Sequence, residues 1–557
     1  MDGHGTAIGR LKPLAVHPYA AAGLVPAVFF LLFYFYPLSG IIIKSFFGEG
    51  HMDLSFLDQV FSSRRMGKII WFTFWQAGVS ALLTLLAALP CAFVFSHYRF
   101  RGKKVLRTLA SVPFVLPAVV VAAAFQACFG KAPVMGITIE HPLVLIFMAH
   151  VFYNFSVMFR IITGFWTTLQ GRMTEAAAML GAGPFNRFFH ISLPLLKPAI
   201  WASFALVFIF CFSSFGIILI LGGPGYATIE AEIYRQAAHL FNLPVAAFLS
   251  LLQILFTLVL MWGYTNFTKR ATRFVPEGEN QHLKTPKTLW EKAVVCGAGL
   301  FIVLLCVVPL AALAGKSLVH EGQFSLVFYR ELFRNASDSV FFIPPFHAVR
   351  WSLTFAAGAL VIAVVTGVCA ALFIRHCETR FQSRWATLFD PLFMLPLSTS
   401  AVTLGFGIII TLDKPPLNLR TSLWLIPIAH ALVGFPFVVR SVLPALRSIP
   451  DQMGDAAAML GASPFRVFRH IDLPLMAKGL VAGAVFAFTI SLGEFGATIF
   501  TARPSTPTIP VAIYRFLGQP GAMNYGQAMA ISTLLMGVTV LGYVLIENIR
   551  KENTEGF

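Results

Sequence analysis

The sequence predicts an all-α polytopic membrane protein, with about twelve transmembrane helices in two parallel six-helix repeats, and three observations carry that prediction. Of the 557 residues, 57% are hydrophobic and 12% charged, against roughly 25% charged in a soluble domain, and mean hydropathy is +0.77. Apolar windows of about 20 residues, long enough to cross a hydrocarbon core of about 30 Å, recur along the chain. A shift of 280 positions lays the sequence on itself: Trp71 falls on Trp351, His150 on His430, Arg160 on Arg440, Phe215-Gly216 on Phe495-Gly496 and Tyr234-Arg235 on Tyr514-Arg515.

Taken in order, the first half reads as spans at roughly 20–46, 70–96, 109–129, 143–169, 199–221 and 246–267. The second half reads as spans at roughly 293–315, 350–375, 387–412, 423–446, 479–501 and 527–548. Arg10 and Lys12 precede a first apolar run too long for the core of a signal peptide, which reads as a retained span. Val275 to Thr288 is polar and poor in helix signals, so the domains are residues 1–277 and 291–557, with a cytoplasmic linker at 278–290. Basic clusters at Arg99 to Arg107, Arg375 to Arg384, Lys269 to Arg273 and Arg550-Lys551 all fall on one side of twelve spans. The positive-inside rule makes that side cytoplasmic and places both termini there, in an inner-membrane protein. The formal net charge of +17 therefore lies in loops between spans. It forms no aromatic-studded basic stripe, so nucleic acid is not a partner and the lipid membrane is. Two halves of equal orientation are related by an axis along the membrane normal, which suits an alternating-access path between them.

One polar-edged segment occurs twice: EAAAMLGAGPFNRFFHISLPLLKPAI from Glu175 and DAAAMLGASPFRVFRHIDLPLMAKGL from Asp455. In the first copy Thr174 can cap a short helix that Gly181 and Gly183 end, and Pro184 suits the first position of a second helix running to Pro194. In the second copy Gly454-Asp455 opens the first helix and Ser463-Pro464 starts the second. The hairpins expose Met179, Leu180, Phe185 and Phe188, and Met459, Leu460, Phe465 and Phe468. Apolar surface facing water calls for a partner, and the alanines thin the helix so that it can enter a groove. An amphipathic hairpin lying on the lipid surface or tucked under its own bundle is the competing reading, disfavoured by the scarcity of Lys and Arg along it.

These segments resemble the EAA motif, EAA-x3-G-x9-I-x-LP, of ABC importer permeases: Glu175, Ala176, Ala177, Gly181, Ile191, Leu193 and Pro194 match it, as do Asp455, Ala456, Ala457, Gly461, Ile471, Leu473 and Pro474. Asp455 departs from the motif by Asp for Glu, which keeps the charge. The resemblance implies that each hairpin, with Phe185 and Phe465 as anchors, docks into a groove on a cytoplasmic ATPase. Two copies of that ATPase and an external solute-binding protein are then the partners. Fusion of both halves resembles the iron(III) and thiamine branch, with Phe72 to Leu83, Ala149 to Asn154 and Gly222 to Tyr234 favouring thiamine; Ser491 to Thr498 is similar to molybdate and sulfate permeases. A twelve-helix secondary transporter is the rival class. The loops Gly222 to Pro244 and Ala502 to Tyr525 are expected to receive the binding protein.

The remaining chemistry is sparse. Ala314 to Leu318 carries Gly-Lys-Ser, but Leu310 stands where a phosphate-binding loop needs its first glycine, so this chain binds no nucleotide or other cofactor and ATP is used by the partner. No acid, base and nucleophile constellation suggests an enzyme. Seven cysteines without CxxC spacing read as small buried hydrophobes, and no metal-ligand spacing occurs. Glu494 falls inside a predicted span, where an ionised carboxylate needs a cavity or a partner. Its repeat mate is Ser214, and the two are candidates either for the substrate path or for internal hydrogen bonding. Arg160 and Arg440 read as snorkelling side chains, and His150, His430, Asn154 and Gln126 as polar helix-packing groups.

Overall fold

A computed structural model of the chain describes residues 18–48, 51–52, 54–130, 133, 136–169, 176–177, 179–272, 283–334, 344–380, 384–413, 415 and 417–552. The fold is all-α. In the first half α1 is Tyr19–Phe46, α2 Arg64–His97, α3 Lys103–Val115, α4 Ala118–Phe129 and α5 Pro142–Thr168. After the first hairpin come α6, Phe185–Phe212, α7, Phe215–Leu221, α8, Ile229–Tyr234, and α9, Leu243–Asn266. The second half repeats the order with α10 Leu289–Leu318, α11 Phe346–Thr379, α12 Arg384–Phe393, α13 Leu395–Ser398, α14 Ala401–Thr411 and α15 Leu425–Arg447. Its hairpin opens with α16, Asp451–Met459. Then follow α17, Pro464–Gly493, α18, Thr498–Thr501, α19, Ile509–Leu517, and α20, Ala522–Leu545.

Among the described residues ten helices are long and apolar enough to cross a membrane, or eleven if α3 and α4, bent by 107°, count as one. The expected count of about twelve falls short because the third segment of each half is broken. Pro117 separates α3 from α4. In the second half Pro391 and Pro396 interrupt the segment expected at 387–412, and Ser400 then caps α14 by accepting the Val402 amide at 3.2 Å. Proline removes a helical donor and clashes with the preceding turn, so each break follows from the local sequence. The linker expected to run to residue 290 ends earlier. Thr288 and Glu291 form a capping box (Glu291 N to Thr288 Oγ1 3.2 Å, Thr288 N to Glu291 Oε2 3.0 Å) that opens α10 at Leu289. Backbone bonds from Lys284 to His97 and from Arg99 to Lys284, both 2.9 Å, pin this segment to the end of α2.

Each half builds a core from its second, fourth and fifth spans, and each core takes in the first helix of the other half. Phe30 of α1 lies 5.4 Å from Phe393 and 5.0 Å from Phe435, ring to ring, and the Tyr34 hydroxyl is 2.6 Å from Thr399 Oγ1. Reciprocally, α10 packs on α2 and α4, with Phe301 6.0 Å from Phe155. Buried Phe29, Phe30 and Tyr34 thus belong to the second-half core, and Val295, Ile302 and Cys306 to the first. The first helices are exchanged.

Candidate coupling surface and transport path

The two hairpins are near copies in three dimensions. In the second, the Ala462 amide donates to the Ala457 carbonyl and the Gly461 amide to the Ala458 carbonyl, both at 3.0 Å. This is the paired pattern of a Schellman turn with glycine in the left-handed region, φ +83°. In the first, the Ala182 amide donates to Ala177 at 2.9 Å and Gly181 has the same φ of +83°. Met179 and Met459 are 91% and 90% exposed, Leu180 and Leu460 both 89%, and Phe185 and Phe465 72% and 68%. Unrelated surface loops would not share these values to within a few per cent. Ala176 and Ala177 lie on the first helix, and Asp455, Ala456 and Ala457 on α16. Glu175 lies outside the described residues.

Several local expectations are corrected. Phe188 and Phe468 are half-buried rather than exposed, Phe188 lying 6.2 Å from Trp166. The first helix of the second hairpin opens at Asp451, four residues before the expected Asp455, because Arg375 holds both the Ile449 carbonyl (2.5 Å) and Asp451 (2.7 Å). Pro194 does not end the second helix of its hairpin. A π-turn over Phe188–Ser192, closed by the Leu193 amide on the Phe188 carbonyl, absorbs the missing proline donor, and the helix runs on into the membrane as α6. Phe468–Asp472 does the same before Pro474 and α17. The fifth spans therefore begin at the hairpins, well before the expected 199 and 479.

Those spans end early as well, at the two candidate path residues. α6 stops at Phe212 and α7 restarts after Ser214; α17 stops at Gly493 and Glu494 follows. The repeat mates face the same histidine in each half. His150 bridges Ser80 (2.9 Å) and Ser214 (2.8 Å), and His430 bridges Ser491 (2.7 Å) and Thr498 (2.6 Å), with Glu494 at 3.7 Å. The Glu494 carboxylate accepts the Ala497 amide (3.1 Å), the Thr498 amide (3.2 Å) and the Thr498 hydroxyl (3.1 Å), so it caps the restart of the helix from inside. Asn154 is likewise bonded internally, to the His150 carbonyl at 3.1 Å. Arg440 does more than snorkel: it lies 3.7 Å from Asp390.

Part of each loop expected to receive a binding protein turns inward. The Ile229 amide donates to Thr73 Oγ1 (3.1 Å), two turns inside α2, and the Ile509 amide to Ser352 Oγ (2.7 Å). Short helices α8 and α19 then climb back, their residues largely buried. Alternating hydrophobic and polar residues near Pro and Gly gave no sequence signal for a re-entrant path. Beside these helices four rings close a cycle: Phe215–Phe495 at 5.4 Å and stacked, Phe495–Tyr514 at 5.5 Å, Tyr514–Tyr234 at 6.5 Å and Tyr234–Phe215 at 5.8 Å. Phe215 and Phe495 are repeat mates, as are Tyr234 and Tyr514. A residue can touch its own mate only near the pseudo-two-fold axis, so this aromatic plug sits on the axis between the halves.

Exposed twin hairpins at one end and a sealed axial seam between two equivalent bundles define a membrane permease. The chain belongs to the family of binding-protein-dependent transport system inner membrane components, which it matches over residues 80–273 and 347–551, one stretch in each half. It is a fused two-half ABC importer permease, a multi-pass inner-membrane protein whose partners are an ATPase and a solute-binding protein. It is 26% identical over 499 residues to the thiamine transport system permease protein ThiP of Brucella abortus (strain 2308), covering 86% of this chain and 87% of that protein. It is 24% identical over 502 residues to ThiP of Escherichia coli (strain K12), covering 87% and 90%. With ThiP of Haemophilus influenzae (strain ATCC 51907 / DSM 11121 / KW20 / Rd) it shares 24% over 536 residues, 93% and 94% of the two chains. Family membership sets aside the secondary transporter.

Proposed function

We propose that this chain conducts thiamine inward, driven by ATP hydrolysis on two copies of a separate cytoplasmic subunit, and that it holds no cofactor of its own. The observation that carries the mechanism is the pair of matched hairpins, each with an exposed Met-Leu-Phe tip and each continuous with a fifth span. Glu175, Ala176, Ala177, Gly181 and Phe185 would seat one ATPase, and Asp455, Ala456, Ala457, Gly461 and Phe465 the other. Closure of the ATPases would move both hairpins, tilt α6 and α17, and part the four rings. Thiamine is supported by similarity over 86%, 87% and 93% of the chain to ThiP proteins of three genera. The exposed turns at Leu240-Phe241 and at Gly518–Gly521 are the surface left for the binding protein.

Uptake of radiolabelled thiamine by a strain without other thiamine importers, with and without this permease and its partners, tests the substrate; iron(III) is the comparison. Thiamine uptake no greater than that of the empty strain would refute the proposal. The hairpin end is read as cytoplasmic, together with both termini. Lys104, exposed on α3, should then react with impermeant amine reagents only in inverted vesicles.

A further inference from the structure

Glu230, at the start of α8, is 1% exposed. Among the described residues no Lys, Arg or His lies within ion-pair distance of it. Its carboxylate receives the Gln253 amide (Oε1 to Nε2 3.2 Å) and interacts with the hydroxyl of Ser400, which lies in the opposite half. The Gln253 carbonyl oxygen, fully buried at the same spot, has no donor. The spot is rich in acceptors and short of donors, so a cation arriving beside it would meet an oxygen that lacks a partner. A buried carboxylate left so is costly unless something supplies the positive charge.

Two comparisons within the molecule show that the fold does not ask for this charge. The repeat mate of Glu230 is Pro510, and α19 forms there without any acid. Two residues along, Glu232 is equally buried but neutralised by Arg235 (2.8 and 2.5 Å) and Arg65 (3.6 Å), with the Gln236 amide donating at 2.6 Å. Glu230 precedes Tyr234 by four residues, so the two share a face of one helical turn, and Tyr234 belongs to the axial plug. A carboxylate is thus set on the same helical face as a ring of the axial plug, the combination that attracts a delocalised organic cation.

We infer that Glu230 is a specificity-determining residue of the path, whose carboxylate pairs with, and so selects, a small organic cation passing between the rings. The inference rests on the proposed function, in which the solute is thiamine, whose thiazolium ring is such a cation. Glu230→Gln removes the charge while keeping the shape and an oxygen for Gln253; Glu230→Asp keeps the charge. Thiamine uptake is measured with the full complex and expressed per mole of inserted permease, alongside ATPase stimulation by thiamine-loaded binding protein. Glu230→Gln should lose about tenfold in uptake, the size of one charge-assisted contact, with ATPase stimulation retained and most uptake restored in Glu230→Asp. Full uptake by Glu230→Gln, or equal losses in the Gln and Asp variants, overturns the inference while leaving the thiamine reading standing. Absence of uptake by the unmutated chain overturns the thiamine reading and the inference together.

Discussion

Gly181 and Gly461 both turn the chain at φ +83°, and nothing lies within 4 Å of a β-carbon built at either position. An L-residue there strains the backbone by about 1–2 kcal/mol without any steric clash inside the permease. Gly461→Ala should therefore cost only that strain, whereas Gly181→Asp and Gly461→Asp also place a charge against the docked partner. Normal membrane abundance with uptake lost in the double Asp variant is the expected outcome; normal uptake would refute the docking role. Glu494 makes a different prediction. Its carboxylate satisfies two amides and a hydroxyl in a buried break, and leaving such donors bare costs about 1–3 kcal/mol each. Glu494→Ala should lower the melting temperature of the purified permease clearly more than Ser214→Ala, whose hydroxyl meets one histidine nitrogen. Equal melting temperatures would contradict the capping role. The sequence offered both roles for Glu494, because a carboxylate in an apolar run looks the same whether it faces a path or a helix end.

Hairpin and span are one continuous helix in each half, joined through the π-turns Phe188–Ser192 and Phe468–Asp472. Docking force can pass along such a helix only while it stays stiff. Two glycines inserted between Asp472 and Leu473 would soften it, each at a cost of about 1 kcal/mol. Binding protein should then still stimulate ATP hydrolysis while thiamine uptake fails. Retained uptake would show that force travels by another route. The hairpins were legible in the sequence because every signal in them is local: small residues, a turn glycine, a first-position proline. The continuity was not, since Pro194 and Pro474 read as helix ends and a π-turn has no sequence signature. The breaks at Ser213-Ser214 and Glu494 were hidden because one or two polar residues inside an apolar window barely move a hydropathy average.

The duplication fixed the plan of the whole molecule from sequence alone, since a constant offset of 280 needs no knowledge of contacts. Exchange of the first helices was out of reach, because it pairs residues such as Phe30 and Phe435 that lie far apart along the chain. Exchange also predicts how the halves behave when cut. Severed between residues 277 and 278 and co-expressed, they should co-purify in detergent, and either half alone should be degraded, with Phe30→Ala weakening the pair by about 3–5 kcal/mol, the usual cost of emptying a buried phenylalanine site. Independent stability of either half would contradict the exchange. One last consequence concerns scale of movement. α6 has 28 residues, and at about 1.5 Å each it is a rod about 42 Å long. If it pivots near its middle, a swing of about 5° carries each tip about 2 Å in opposite senses. At the far tip the rod ends beside Ser214, immediately before Phe215, so a tilt of that size imposed at Phe185 would carry one stacked ring about 2 Å across the other.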